Sequence, residues 1–251
     1  VNTAARHIIC ACDDHTAEIR IMDSGECLHK MSGHEGDVNS ATFSPDGGFA
    51  VTASHDHSAK IWSTDSGECL HTLAGHYGDV LSAVFSPDSM QVLTVSDDDT
   101  ARIWRADTGE CLQILAGSGD GIRSAVFSPC GTSVLTVSWN RVAKLWERDS
   151  GKCVHTLAGH WSEMTSAAFS PDGSLVLTGS DDDTAKIWGA SSGRCHHTLA
   201  DHAGGVNSVA FSPDGTLALT SSWDHTANIW STATGECLRT LRGHGREVRS
   251  A

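Results

Sequence analysis

One segment decides the fold, and it spans residues 33–74: GHEGDVNSATFSPDGGFAVTASHDHSAKIWSTDSGECLHTLA. Its landmarks return every 42 residues along the chain. The tryptophan recurs as Trp62, Trp104, Trp146, Trp188 and Trp230, and all five prolines keep the same spacing. A period of this size is typical of proteins that repeat one small structural unit. Six such units account for almost the whole chain of 251 residues.

Within this segment, alternating apolar runs separated by turn residues predict four β-strands. The expected strands are residues 37–43, 49–54, 58–63 and 69–73. The turn at residues 44–47, Ser-Pro-Asp-Gly, suits a tight reversal because Pro fixes φ, Asp bonds the local backbone and Gly accepts a positive φ. Four short strands joined by tight turns form one antiparallel sheet. The predicted fold is therefore all-β: six four-stranded blades arranged radially as a β-propeller, or seven if a repeat lies outside this sequence.

The repeated order of Gly-His, Phe-Ser-Pro-Asp-Gly, Ser-x-Asp and Thr-x-x-x-Trp resembles the WD-repeat β-propellers over the whole chain. The resemblance implies a hydrogen-bond network in each blade, which joins a histidine, a strand-two serine, a turn aspartate and a strand-three tryptophan. Its expected members are His34, Ser54, Asp56 and Trp62; His76, Ser96, Asp98 and Trp104; His160, Ser180, Asp182 and Trp188; and His202, Ser222, Asp224 and Trp230. The chain departs from the family in that no repeat has Asp after the tryptophan.

The two ends of the chain predict a composite first blade within a single domain, residues 1–251. Residues 246–251 match a first strand, and residues 1–31 match the remaining three. A closed ring would then bring His244 next to Asp14. Because the sequence begins without Met, we expect a fragment or a processed chain.

Composition narrows the classes of partner and the compartment. The net charge of −14 argues against nucleic acid and anionic membranes, because phosphate contacts need clustered Lys and Arg. The sequence contains no run of about 18 apolar residues, so no membrane insertion is expected. Six of the nine cysteines share one repeat position, where equivalent side chains face alike and should not pair. We expect mostly buried thiols in a reducing compartment, the cytoplasm.

The histidines and acidic residues do not predict an enzyme or a metal site. A His, Asp and Ser grouping resembles a hydrolytic triad, but its identical recurrence indicates a structural role. The runs at residues 97–99 and 181–183 are consecutive carboxylates, which do not reproduce the alternating ligands of a calcium loop. We therefore expect no catalytic residue, cofactor or metal.

Function is expected where the repeats differ. The resemblance to WD-repeat proteins implies that partners dock on the face formed by the Gly-His loops and the turns between strands two and three. The candidate protein-binding residues are Arg123, Trp139, Trp161, Trp223, Arg249, Asn207 and Tyr77. Trp, Tyr and Arg dominate binding hot spots. In the deviant third repeat, Ser118 replaces the histidine and Asn140 the aspartate. We predict that Arg123, Trp139 and Trp161 form the centre of a peptide-binding patch. The alternative is drift, with the joint loss of His and Asp leaving no polar group unpaired.

These observations predict a non-enzymatic interaction scaffold that binds peptides or protein partners on one propeller face. One alternative is the sensor or regulatory propeller of a larger signalling ATPase, which an upstream P-loop and helical region would favour. Another is a structural subunit of a large assembly, for example a cytoskeletal one, which stoichiometric co-purification would favour.

Overall fold

The computed structural model describes residues 7–12, 14–117, 119 and 121–249, and every regular element in those ranges is a β-strand. Ser118, which replaces the network histidine in the third repeat, lies outside the described residues. So do residues 1–6, 250 and 251 of the predicted composite blade. The strands form antiparallel sheets of three or four strands. The described residues fall into two compact units. The first runs to Gly117 and takes in Gly121–Phe127 and Asp149–Gly151; the second holds Ser128–Arg148 and the chain from Lys152 onward.

The first unit contains twelve strands. They are β1 (His7–Ala11), β2 (Thr16–Ile21), β3 (Cys27–Ser32), β4 (Val38–Phe43), β5 (Phe49–Ser54), β6 (Ser58–Ser63), β7 (Cys69–Ala74), β8 (Val80–Phe85), β9 (Gln91–Ser96), β10 (Thr100–Arg105), β11 (Cys111–Ala116) and β12 (Ile122–Phe127). Strands β1 to β3, β4 to β7 and β8 to β11 each pair in chain order.

The second unit contains eleven strands. They are β13 (Ser133–Ser138), β14 (Val142–Glu147), β15 (Cys153–Ala158), β16 (Met164–Phe169), β17 (Leu175–Ser180), β18 (Ala185–Gly189), β19 (Cys195–Leu199), β20 (Val206–Phe211), β21 (Leu217–Ser222), β22 (Ala227–Ser231) and β23 (Cys237–Leu241). Strands β13 to β15, β16 to β19 and β20 to β23 each pair in chain order.

The all-β prediction is confirmed, and in residues 33–74 the strand ends agree with the expected ones to within a residue. The Ser-Pro-Asp-Gly turn closes as its composition requires. Ser44 Oγ donates to Asp46 Oδ1 at 2.6 Å, and Gly47 adopts a φ of +78°. Local side-chain bonds of this kind replace the ladder where the chain reverses.

The apolar faces of successive sheets pack against each other inside each unit. In the first unit, Ile61 and Leu73 of one sheet pack with Val80 and Trp104 of the next. In the second unit, Ile187 and Leu199 pack with Val206 and Trp230 in the same way. Because burial of one such side chain contributes about 1.5–3 kcal/mol, a single sheet is stabilised mainly by its neighbour.

The fourth strands carry half-buried histidines that meet a glycine of the next repeat. A side chain added at Gly67 would lie 2.9 Å from Cβ of His29, and one added at Gly235 would lie 2.8 Å from the ring of His197. Both glycines also adopt a positive φ. These histidine side chains therefore pack against the next repeat and are not fully exposed to solvent.

The expectation of mostly buried cysteines is wrong. All nine are free thiols, five of them exposed and four half-buried. The repeated cysteine begins the last strand of each sheet, at the sheet edge, where its thiol lies near the main chain. Cys69 Sγ, for example, lies 3.6 Å from the carbonyl of His71.

Within the described ranges, we find no helix long and apolar enough to cross a membrane. In the sheet of β1 to β3, Asp14 Oδ2 accepts a hydrogen bond from Lys30 Nζ at 2.7 Å. The composite first blade, with its pairing of His244 and Asp14, stays a prediction.

Candidate functional site

A turn aspartate ties two loops together at one end of the sheet. Asp56, between β5 and β6, accepts hydrogen bonds at Oδ1 from the backbone N–H and hydroxyl of Ser58 at 2.9 and 2.7 Å. Its Oδ2 accepts from the N–H of Glu35 at 3.0 Å and lies 2.7 Å from Nδ1 of His34. The loop before β4 is thereby fixed to the turn between β5 and β6. We call this end of each sheet its loop face.

A buried threonine joins the histidine to the tryptophan. Trp62 Nε1 donates to Thr52 Oγ1 at 2.8 Å, and His34 Nε2 lies 2.7 Å from the same oxygen. The Asp56 carboxylate can only accept, so a neutral imidazole donates to it from Nδ1. Its Nε2 then accepts the proton of the threonine hydroxyl, whose oxygen accepts from the indole N–H. The hydrogen bonds therefore run from tryptophan through threonine and histidine to aspartate.

The predicted serine has a different place in the network. Ser54 Oγ donates to the carbonyl of Gly36 at 3.0 Å and accepts the N–H of Asp56 at 3.1 Å. It thus supports the loop and the turn, while Thr52 makes the link between histidine and tryptophan.

Three further repeats contain the same chain of bonds. They are Trp104, Thr94, His76 and Asp98; Trp188, Thr178, His160 and Asp182; and Trp230, Thr220, His202 and Asp224. In each, the serine accepts the N–H of the turn aspartate: Ser96, Ser180 and Ser222.

Burial and hydrogen bonding set the protonation of this network. Burial lowers the pKa of His34, His76 and His160, against the pull of their aspartates. Burial alone would raise the pKa of Asp56, but hydrogen bonds, the largest from Ser58, outweigh it and lower that pKa to about 2. The pKa of Asp98 is lowered to about 2 in the same way, with Thr100 as the largest donor. At neutral pH the network therefore pairs a neutral imidazole with a carboxylate.

The arrangement holds the loops with side chains that are buried and already hydrogen-bonded. The His34 side chain is 1% exposed and that of His76 is fully buried. The threonine hydroxyl is already committed at both ends, so no nucleophile faces the solvent here. No group of three or more His, Cys, Asp or Glu side chains in the described part of the chain is arranged to hold a metal ion.

The third repeat keeps only part of the network. Trp146 Nε1 still donates to Thr136 Oγ1 at 2.9 Å, and Lys144 Nζ lies 5.4 Å from the centroid of the Trp146 ring. Asn140 Oδ1 is buried and has no hydrogen-bond partner among the described residues. The expectation that this repeat leaves no polar group unpaired is therefore wrong for those residues.

The loop faces expose the off-template aromatic residues. In the second unit, Trp161 is 83% exposed, Trp223 51% and Trp139 39%. Tyr77 in the first unit is 87% exposed. The N–H of Trp161 donates to Asp182 Oδ2 at 2.8 Å, so the network fixes the backbone that presents this ring.

The three polar candidates differ in their surroundings. Arg123, on β12, is half-buried. The Arg249 side chain is 83% exposed and pairs with Glu247 at 3.3 Å. Asn207 Nδ2 donates to the carbonyl of Val248 at 3.0 Å, so its amide nitrogen is engaged inside the second unit.

The model of one repeat family, "WD domain, G-beta repeat", matches residues 25–63, 67–105, 109–147, 151–189 and 193–231. These five matches cover most of the chain. The chain belongs to the WD40 repeat family. No curated protein matches it significantly.

Neighbouring repeats of this WD40 chain are joined by histidine–aspartate pairs that were not predicted from the sequence. His15 Nδ1 lies 3.2 Å from Asp37 Oδ1, and His57 Nε2 lies 3.4 Å from Asp79 Oδ1. Aligning the repeats gives the signal that could have identified them. The aligned pairs are His15 with Asp37, His57 with Asp79, Asp99 with Gly121, Arg141 with Glu163, Asp183 with Gly205, and His225 with Glu247. In these pairs, a histidine or arginine at the first position always aligns with an acid at the second, and an aspartate at the first position always aligns with a glycine.

Replacing Asp79 with Asn should change the free energy of unfolding by less than about 1 kcal/mol, because exposed ion pairs are screened by water. The side chains of His57 and Asp79 are 51% and 37% exposed. Urea unfolding beside an Asp65→Asn control at an exposed turn checks this. A loss above about 2 kcal/mol would show that the pair is a main link between repeats.

Proposed function

We propose that this WD40 chain is a non-enzymatic scaffold that binds a peptide or a protein segment at its loop faces. Domains of this family generally mediate protein interactions. The observation that supports the loop faces is the exposure of Trp161 and Trp223 there, at 83% and 51%. The template tryptophans, by contrast, are almost fully buried, as Trp62 and Trp188 illustrate.

A partner that covers an exposed tryptophan gains a large favourable contribution to the binding free energy. An aromatic side chain buries about 150–250 Å² in a packed contact, and Trp, Tyr and Arg are the residues most enriched in binding hot spots. Trp161 also follows a histidine whose loop is fixed by the hydrogen-bond network. A side chain held on a fixed backbone loses less conformational entropy when it binds.

Exposure supports most of the proposed contact residues. Trp161 and Trp139 stay the proposed centre of the binding patch in the second unit, and Arg123, which is half-buried in the first unit, stays a separate proposed contact. Trp223 and Arg249 extend the proposed surface in the second unit, and Tyr77 supplies a contact in the first. Asn207 is left out because its amide already binds the backbone of Val248.

We also place the scaffold in a reducing compartment such as the cytoplasm. This part of the proposal is supported by nine cysteines, five of which are exposed to solvent as free thiols. Exposed thiols of this number are typical of proteins that are kept reduced.

Quantitative affinity capture from native lysate tests the loop-face proposal. The baits are the wild-type chain, the Trp139→Ala/Trp161→Ala variant and the Arg123→Ala/Trp139→Ala/Trp161→Ala variant. Leu238→Ala serves as the control, because Leu238 is 56% exposed on the outer strand β23. All four proteins should first be shown to melt alike.

We expect at least one partner whose recovery falls about tenfold or more with both tryptophan variants and stays unchanged with the control, since each loss of about 1.4 kcal/mol weakens binding tenfold. Partner sets that are identical for the wild type and the tryptophan variants would contradict the proposal.

A further inference from the structure

A second candidate site lies in the first unit, at the end of the sheets away from the loop face. A groove of about 730 Å³ opens between the sheet of β4 to β7 and the sheet of β8 to β11. Its apolar lining comes from Phe49, Leu70, Met90, Ala106 and Leu112. We call it the Met90 groove. A volume in this range suits a ligand or one large side chain with its neighbours.

The groove is lined by residues that depart from the repeat pattern. Residues 89–91 are Ser-Met-Gln, whereas the equivalent positions read Gly-Gly-Phe, Gly-Thr-Ser, Gly-Ser-Leu and Gly-Thr-Leu at residues 47–49, 131–133, 173–175 and 215–217. Ser89 holds a φ of +61°, at a position where four sibling repeats have glycine. A side chain in this strained region marks a site where something other than the turn selects the residue.

Ser89 and Met90 shape the mouth of the groove. The N–H of Asp46, in the turn of the neighbouring sheet, donates to Ser89 Oγ at 3.3 Å, so the strained serine links the two walls. Met90 is 69% exposed, which is unusual for a large apolar side chain. Methionine is flexible and polarisable and adapts to varied apolar partners.

Gln91 adds a buried polar group to the lining of the groove, at a position that is apolar in three sibling repeats. Its Oε1 is buried and has no hydrogen-bond partner among the described residues. The equivalent positions in three sibling repeats are Phe49, Leu175 and Leu217. A buried acceptor without a partner destabilises the free protein, and a ligand N–H that reaches it would remove that cost.

The charges around the groove favour a cationic ligand. Asp46, Asp88 and Asp107 line it, against a single guanidinium, Arg105. Arg105 lies 4.0 Å from Glu110, which offsets its charge. The hydrogen bond from Ser44 lowers the pKa of Asp46, which keeps that carboxylate charged at neutral pH. Complementary charge steers association and suppresses wrong partners.

We propose that the Met90 groove binds a linear segment of a partner protein that presents a large apolar side chain flanked by Lys or Arg. The apolar side chain packs against Leu70 and Met90, and a backbone N–H of the segment donates to Gln91. The flanking cations lie near the carboxylates at the rim. This site is separate from the loop-face surface, and the inference does not rest on the proposed function.

A positional-scanning library of short fluorescent peptides tests the proposal on the full chain. The central position is Leu, Met, Phe, Ala or Ser, and the flanks are either Lys and Arg or Glu. We expect the wild type to select a large apolar centre with basic flanks about tenfold over the Ala-centred and Glu-flanked peptides.

Two variants that restore sibling residues separate the groove from the rest of the molecule. Met90→Thr and Gln91→Leu should each weaken the binding of the selected peptide about fivefold or more. Gln91→Leu should also raise the melting temperature, because it removes the unpaired acceptor. Ser174→Thr, at the position equivalent to Met90, should leave peptide binding unchanged.

Three results would overturn the proposal. They are no binding of any library peptide to the wild type, a preference for Glu-flanked peptides, and equal binding by the wild type, Met90→Thr and Gln91→Leu. Displacement of the bound peptide by an equal concentration of butylamine would overturn the assignment to a protein segment.

Discussion

Replacing Thr178 with Val should lower the free energy of unfolding by about 2–6 kcal/mol. The side chain is fully buried, and valine has nearly the same shape. The change removes the oxygen that accepts from Trp188 Nε1 at 2.9 Å and lies 2.8 Å from His160 Nε2. Each orphaned buried group costs about 1–3 kcal/mol, and two are created at once. Urea unfolding followed by tryptophan fluorescence measures the loss.

The third repeat supplies the matched control for this change. Thr136 is equally buried and accepts from Trp146 Nε1 at 2.9 Å, but this repeat has Ser118 where its siblings have histidine. Thr136→Val should therefore cost about half as much as Thr178→Val. Equal losses would show that the link to the histidine contributes nothing.

Acidification from pH 7.5 to pH 5.5 should destabilise the chain by up to about 4 kcal/mol. The pKa values of His34, His76 and His160 are lowered in the folded state from an ordinary value of 6.5, because burial disfavours the charged ring. Below pH 6.5 the unfolded chain therefore binds more protons than the folded chain, and protons favour unfolding. Each histidine contributes about 1.4 kcal/mol per pH unit while its folded form stays neutral.

A second loss of stability should follow below pH 3.8. The pKa of Asp56 and that of Asp98 are both about 2 in the fold, so the unfolded chain again takes up protons first. Unfolding free energies measured across this range check both steps. In the His160→Asn variant, the slope of the unfolding free energy against pH between pH 6.5 and pH 5.5 should fall by about a third. One of the three histidines with a lowered pKa is then gone. Stability that stays constant or rises from pH 7.5 to pH 5.5 would contradict the neutral state of the buried histidines.

The strands and turns were predictable because each is encoded locally. In residues 33–74, alternation and turn residues set the strand ends to within a residue. The histidine, aspartate and tryptophan of the network were also predictable, since a buried ring nitrogen needs a partner.

The role of Thr52 was not predictable from periodicity. Thr52 and Ser54 are two residues apart on one strand, so both project from the same face and both recur in the repeats. Only the three-dimensional distance decides that the threonine reaches the histidine and the tryptophan. The exposure of the cysteines was missed for a similar reason. Composition suggests burial of Cys69, but its place at the start of an outer strand decides its exposure.

The Met90 groove and the histidine–aspartate pairs between repeats can be recognised in the sequence only by aligning the repeats with one another. Ser89 stands where four sibling repeats have glycine, and Gln91 stands where three have Phe or Leu. Neither indicates a groove until the neighbouring turn, with Asp46, is placed beside it. Departures from a repeat therefore mark candidate sites, and the packing of adjacent sheets decides which of them form one.

Photo-crosslinking from position 161 tests the central claim most directly. Trp161 is replaced by benzoylphenylalanine, and a second protein carries the same residue at position 238 as a reference on the outer strand. In native extract, position 161 should crosslink to a protein that position 238 does not capture, and unlabelled wild-type chain should compete for it. The same crosslinks from both positions, or none from position 161, would contradict a loop face that binds partners through its exposed tryptophans.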